Sequence, residues 1–290
     1  MRAEQEFIGG YRVKRHMWTG QDSQVLEVVD PASNLHFAMK LLLPEKARDS
    51  QARADLFHEA EMGLKFTHPN VIKIFSVCKD FVTPHFVMEF FPAGSLKVRI
   101  MHIDREMEFL REHCQFILRQ WATALAFLNA QGYVHRDVKP DNLLVNGLGE
   151  ARVIDFALVQ KIPQGLGKIF RLREKAAGTM SYMSPEQIRG ETLDGRADIY
   201  CFGASIFEVL TGRPPFRGSS PNDLLSKHLT EVPMTPCTLN PDVTKEFGDF
   251  VVKLLSKKRE DRPGNFHEVL MQMRILRIFK STGFKTPPLR

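Results

Sequence analysis

Only four cysteines occur in 290 residues, Cys78, Cys114, Cys201 and Cys237, and no two are close in sequence. That argues against a zinc knuckle or a disulfide framework and suits a reducing compartment. No apolar run approaches the roughly 20 residues that a membrane-spanning helix needs. The opening Met1-Arg2-Ala3-Glu4-Gln5-Glu6 lacks the charged-then-apolar layout of a signal peptide. The expectation is a cytoplasmic protein, or a soluble segment of a longer one. Internal repeats and low-complexity linkers are absent as well. With 43% hydrophobic and 26% charged residues, the chain can bury a large core and is not a disordered one. The net charge of +6 gathers at one end, where residues 253–290 carry ten Lys/Arg against three Asp/Glu. A basic end can meet nucleic acid, anionic lipid or an acidic protein. Aromatics and cations do not interleave there in the way a single-strand binder needs, so a solvated helix face and tail is the better reading, and no nucleic-acid partner is expected.

What is present changes character along the chain. Residues 11–88 read as strand-rich, with apolar runs at 25–29 and 35–43 joined by the turn Asp30-Pro31-Ala32-Ser33-Asn34. Residues 53–66 read as a helix with Leu56, Ala60, Gly63 and Leu64 on one stripe, stopping before Pro69. Two more short strands are expected at 71–77 and 85–91. Beyond Pro92 the pattern turns helical. Residues 109–131 are amphipathic, with Phe116, Leu118, Trp121, Leu125 and Leu128 apolar. Residues 198–211 are apolar nearly all round, the mark of a buried helix. Final helices are expected at 247–256 and 266–279.

The most informative stretch is His135-Arg136-Asp137-Val138-Lys139-Pro140-Asp141-Asn142. A carboxylate at Asp137 can orient a hydroxyl and accept its proton. Lys139 can neutralise charge on a transferring phosphoryl group, and the amide oxygen of Asn142 can hold a hard cation such as Mg²⁺. These residues resemble the catalytic loop of the protein kinase superfamily, in its Ser/Thr form because Lys139 stands two after the Asp. Other motifs follow in the family's order: Phe37-Ala38-Met39-Lys40, Glu59 ahead of His68-Pro69-Asn70, Asp155-Phe156, Ser184-Pro185-Glu186, Asp198-Ile199-Tyr200 and Arg262. The wording around Gly178–Gln187 and Leu210–Phe216 is most like bacterial, eukaryote-like Ser/Thr kinases.

The resemblance implies an α+β, bilobal fold: a small, mostly antiparallel N-lobe with a five-stranded sheet and one main helix, and a larger helical C-lobe. It implies one catalytic domain over 1–290, with an N-lobe at 1–88, a hinge at 89–91, a C-lobe at 92–276 and a basic tail at 277–290. A nucleotide would lie beneath the hinge. ATP and Mg²⁺ or Mn²⁺ are the implied cofactors, and a protein is the substrate. Lys40 would hold the α- and β-phosphates, with Glu59 fixing its ammonium. Asp155 and Asn142 would be the metal ligands, and Asp137 and Lys139 the catalytic pair, bridged by Thr179. Met17, Trp18, Gly20, Ser23 and Val25 fall on the phosphate-covering loop and its flanks. Ala38 and Leu144 join Val25 around the adenine, and Met88, Glu89 and Phe91 line the hinge side. His135 is expected to pack as a structural histidine against Phe156, and Arg262 to pair with Glu186.

Three departures from the family pattern stand out. The Gly-x-Gly-x-x-Gly slots hold Trp18, Gly20 and Ser23, so only the middle glycine survives, and weaker or differently posed ATP is expected. Trp18 is alternatively a cover for the adenine or ribose. Ala157 replaces the glycine after Asp155-Phe156, and a left-handed backbone there would cost Ala roughly 1–2 kcal/mol more than Gly. Residues 157–178 hold no Ser, Thr or Tyr, so the usual activating phosphate has no acceptor and Arg136 no phosphate to order. Glu174 could imitate it, while Lys161, Lys168, Arg171, Arg173 and Lys175 make the segment basic. Two functions follow: an active Ser/Thr kinase, favoured because every chemical group is present, or a pseudokinase that binds nucleotide and signals by conformation.

Overall fold

The computed structural model describes residues 6–163 and 179–281. Residues Gly178, Lys168, Arg171, Arg173, Glu174 and Lys175 and the end of the basic tail lie outside the described residues. The chain forms two compact units, Met1–Pro92 with Ile154–Ala157, and Ala93–Val153 with Leu158–Arg290.

The first unit runs β1 (Phe7–Ile8), β2 (Tyr11–Thr19), β3 (Ser23–Val29), β4 (His36–Leu42), α1 (Ser50–Gly63), β5 (Ile74–Cys78) and β6 (His85–Glu89). The strands make one antiparallel sheet in the order β1-β2-β3-β4-β6-β5. It has six strands where five were expected. The extra strand, β1, folds onto β2 through Gly9-Gly10, both at positive φ, a pairing that suits a two-residue hairpin. The turn foreseen at 30–34 joins β3 to β4. Asp30 accepts from the Ala32 and Ser33 amides and from the Ser33 hydroxyl, which favours a turn over a continued strand. Leu26, Val28, Met39, Leu41 and Val87 form the buried layer of the sheet with Ile8.

Helix α1 begins three residues before the sequence expectation because Asp49 caps it, accepting from the Ala52 amide at 2.8 Å. Leu56, Ala60 and Gly63 are buried as expected, but Leu64 lies past the helix end and is exposed. A Cβ on Gly63 would fall 2.3 Å from Ile74 Cδ1 and 3.0 Å from a Phe156 ring carbon. The missing side chain is the space in which Phe156 packs, and Phe156 also contacts Phe66, ring centroids 5.8 Å apart.

In the second unit follow β7 (Gly94–Ser95), α2 (Leu96–Met101), α3 (Ile103–Ala130), β8 (Tyr133–Val134), β9 (Leu143–Val145), β10 (Ala151–Val153), β11 (Gln160–Lys161), α4 (Pro185–Arg189), α5 (Gly195–Thr211), α6 (Pro221–Thr230), α7 (Pro236–Leu239), α8 (Lys245–Leu254) and α9 (Phe266–Ile275). The strands make two small sheets, β10-β9-β7 and β11-β8. On α3 the buried face is Cys114, Ile117, Leu118, Trp121, Leu125 and Leu128. Phe116 sits one position off that repeat and is exposed, contrary to the sequence expectation. Every residue of α5 from Ala197 to Leu210 is buried, including Asp198, Ser205 and Glu208. The last helix stops at Ile275, and Phe279 instead bridges to Val243.

Candidate active site

The sequence-predicted residues fall into two groups, one in each unit. In the first unit, the register of β3 on β4 sets Val25 opposite Lys40, and β4 on β6 sets Ala38 opposite Met88. Lys40 Nζ meets Glu59 Oε2 at 2.6 Å, and both side chains are largely buried. Burial alone would depress the Lys40 ammonium, but the carboxylates of Glu59 and Asp155 outweigh it and hold its pKa above the ordinary lysine value. Lysine, glutamate and Asp155 are therefore one electrostatic cluster. Phe91 is buried just beyond β6, where Glu89 is the last strand residue.

The phosphate-covering loop departs from the sequence expectation in its geometry. Gly20 is not at positive φ, so it does not supply an unusual backbone turn. Its lack of a side chain is used differently: a Cβ would lie 2.2 Å from Trp18 Cη2. The indole lies back over Gly20, while Trp18 keeps a regular strand pairing with Val25. Met17 falls in the register shift between His16 and Trp18, a bulge on β2, and is exposed. Ser23 begins β3, and its carbonyl accepts from the Gly20 amide at 2.8 Å.

The backbone strain expected at Ala157 is not there. Among the described residues only Asn34, Arg136 and Asp155 are non-glycine residues with positive φ, so the left-handed residue of this motif is Asp155, at φ 67°. Aspartate tolerates that region better than most residues, and its Oδ1 accepts from the Ala157 amide at 3.2 Å in a local turn. Ala157 takes an ordinary backbone conformation that needs no glycine.

In the second unit the catalytic-loop residues converge. Asp137 Oδ1 accepts from the Thr179 amide at 3.1 Å and the Thr179 hydroxyl at 3.0 Å. Asp137 Oδ2 receives Lys139 Nζ at 2.6 Å and Asn142 Nδ2 at 3.0 Å. Lys139 also donates to the Thr179 hydroxyl at 2.7 Å, so the threonine bridges the two as expected. Burial would raise the Asp137 carboxyl, but Lys139 chiefly, with His135 and Thr179, holds it below the usual aspartate value. Asn142 Nδ2 gives its second hydrogen bond to the Asp137 carbonyl at 2.9 Å. That commits the amide nitrogen and leaves the oxygen for a hard cation, so this residue fits a Mg²⁺ ligand. Leu144 is the middle residue of β9.

The loop is held from below by Asp198 of α5. Its carboxylate accepts from two consecutive amides, His135 at 2.8 Å and Arg136 at 2.9 Å, and from Asn129 Nδ2 at 3.1 Å. These bonds support Arg136 at φ 70°. The Arg136 side chain donates to Gln160 Oε1 at 2.7 Å. The expected pair of Arg262 and Glu186 is present, bidentate at 2.7 and 2.9 Å and buried. Sequence reading missed Lys97, which donates to Glu208 at 2.5 Å beside the Tyr182 hydroxyl. The available signal was a lone glutamate deep in an apolar helix.

Residues 11–274 match the protein kinase domain family. The chain belongs to that family. It is 30% identical over 258 residues to a probable serine/threonine-protein kinase of Streptomyces coelicolor, covering 88% of this chain and 38% of that protein. It is 30% identical over 284 residues to serine/threonine-protein kinase PknB of Mycolicibacterium smegmatis, covering 94% of this chain and 43% of that one. PknB of Mycobacterium tuberculosis is 31% identical over 235 residues, 78% of this chain and 36% of the relative. The chain thus spans about two fifths of the length of these curated relatives. The bacterial Ser/Thr kinase resemblance read from the motifs agrees with all three.

Proposed function

We propose that this kinase domain transfers the γ-phosphoryl group of Mg-ATP to serine or threonine hydroxyls of a protein substrate, in the cytoplasm. The observation that carries this reading is the Asp137 carboxylate, ionised and oriented by Lys139, Asn142 and Thr179 in a single hydrogen-bonded group. Asp137 positions the attacking hydroxyl and takes its proton. Lys139 balances charge on the transferring group, and Lys40, fixed by Glu59, holds the nucleotide phosphates. Asp155 and Asn142 would hold Mg²⁺ or Mn²⁺, which would supply charge neutralisation at the phosphate oxygens. Among the described residues no three His, Cys, Asp or Glu side chains gather into a metal cage, so the cation would share its shell between one or two side chains and the phosphates.

A radiolabelled ATP assay on a generic basic protein, run beside Asp137→Ala, tests the activity. The variant is expected to lose at least about a hundredfold in rate, the range of a lost general base. Phospho-amino-acid analysis should return phosphoserine or phosphothreonine. Labelling mainly on tyrosine would overturn the substrate class.

A further inference from the structure

Away from the catalytic loop, a cavity of about 380 Å³ opens in the helical unit between α4 and the segment that follows α8. It is lined by Glu186, Arg189, Glu191, Lys257, Lys258, Arg259 and Glu260. Counting charges alone makes it mixed, but the pairing does not. Glu186 is used up by the bidentate Arg262, and Glu191 is held by Arg259 at 2.6 Å. Arg189 reaches Glu191 only at 3.8 Å. Among the described residues Lys257 and Lys258 have no carboxylate within ion-pairing distance. Lys257 is half-buried, its ammonium 4.1 Å from the Phe216 ring centroid and 5.5 Å from that of Tyr200, and it donates to the Tyr200 hydroxyl at 3.3 Å and the Lys227 carbonyl at 3.4 Å. A partly desolvated cation with no carboxylate in contact is costly. Burial, helped by Arg262 and only partly offset by the more distant Glu231, pushes its pKa down to about 8, and an anion in the cavity would relieve both.

We propose that this cavity is a docking site for a phosphorylated side chain of a partner protein, gripped by Lys257, Lys258 and Arg189. A phosphomonoester brings nearly two negative charges and three acceptor oxygens, enough to engage both ammonium groups and the guanidinium together. A carboxylate has one charge and would face the same glutamate-bearing wall with half the compensation. The volume exceeds what a bare phosphate ion fills, leaving room for the side chain that carries it. Glu260, mostly exposed at the rim, opposes the ligand and sets a limit on its charge.

Fluorescence anisotropy on the full chain, without nucleotide, tests this independently of phosphoryl transfer. The probe is a labelled phosphoserine peptide with uncharged flanks, beside its serine twin. The phosphopeptide should bind about tenfold or more tightly than the twin. Lys257→Met with Lys258→Gln should erase that preference, and Glu260→Gln should increase it. Lys258→Gln alone, at an exposed position, should cost several-fold even where the double variant folds poorly. Inorganic phosphate should compete only at far higher concentration than unlabelled phosphopeptide. Equal binding of the two peptides, an unchanged preference in the lysine variants, or phosphate competing as well as the peptide would each overturn the proposal.

Discussion

Asp155 carries two burdens in this chain. It stands at positive φ and it lends its charge to Lys40, so its carboxylate is spent on geometry and electrostatics at once. Asp155→Asn keeps the left-handed preference, because asparagine shares it, but removes the charge. The expected result is a protein that still folds and melts cooperatively, with little or no metal-dependent turnover. Retention of most of the wild-type rate would show that another residue holds the metal. The same geometry retires the idea that Ala157 is a strained stand-in for glycine. What looked from the sequence like a loss at Ala157 is, in the folded chain, a demand placed two residues earlier.

At the scale of elements, the end of α1 and the β2–β3 loop depend on groups that are missing. Gly63 makes room for Phe156 and Ile74, so Gly63→Ala forces a methyl into contacts of 2.3 and 3.0 Å. Overpacking of this kind should destabilise by about 1–3 kcal/mol, measured by chemical denaturation, against a fraction of that gained in helix propensity. A stabilised variant would mean that Ile74 and Phe156 yield easily. In the loop, Trp18 lies over the surviving Gly20, shielding the backbone that would otherwise approach phosphate. Trp18→Gly with Ser23→Gly should tighten ATP binding roughly tenfold, about 1.4 kcal/mol, by titration calorimetry. Weaker binding would identify the indole as a nucleotide contact. Much of this was legible beforehand. The Lys40–Glu59 pair, the Asp137–Lys139–Thr179 group and the Arg262–Glu186 bridge follow from motif order, because each motif residue has one chemical task. The Gly9-Gly10 hairpin was missed because β1 is only two residues long. The exposure of Leu64 was misjudged because the helix ends at Gly63, just before the next residue of the stripe, and that of Phe116 because it lies one residue off its helix's buried repeat. The Lys97–Glu208 contact spans 111 residues, and no local pattern announces such a pair.

For the whole molecule, acid is the condition that tests the fold. His228 is fully buried, its Nδ1 2.9 Å from the Tyr200 hydroxyl, and burial with the nearby Lys257 pushes its pKa from 6.5 down to about 4. The unfolded chain binds a proton at this site below pH 6.5 while the folded chain does so only near pH 4. Stability is therefore fully present above pH 6.5 and falls as pH drops through that window, by up to the order of 3 kcal/mol. His228→Phe should be less stable at neutral pH, yet should show a shallower loss between pH 6.5 and 5 in thermal scans. An unchanged slope would assign the acid sensitivity elsewhere. The partition of the chain has its own implication. Four residues, Ile154–Ala157, return from the far side of the sequence to complete the sheet unit, bringing Phe156 to Gly63 and Phe66. A gene fragment ending at Pro92 would encode all six strands of that sheet and the helix α1, yet leave an apolar socket where that phenylalanine belongs. The sheet unit is thus not a portable cassette: recombination could exchange it only together with a tetrapeptide encoded some sixty codons downstream, which ties the inheritance of the two units together.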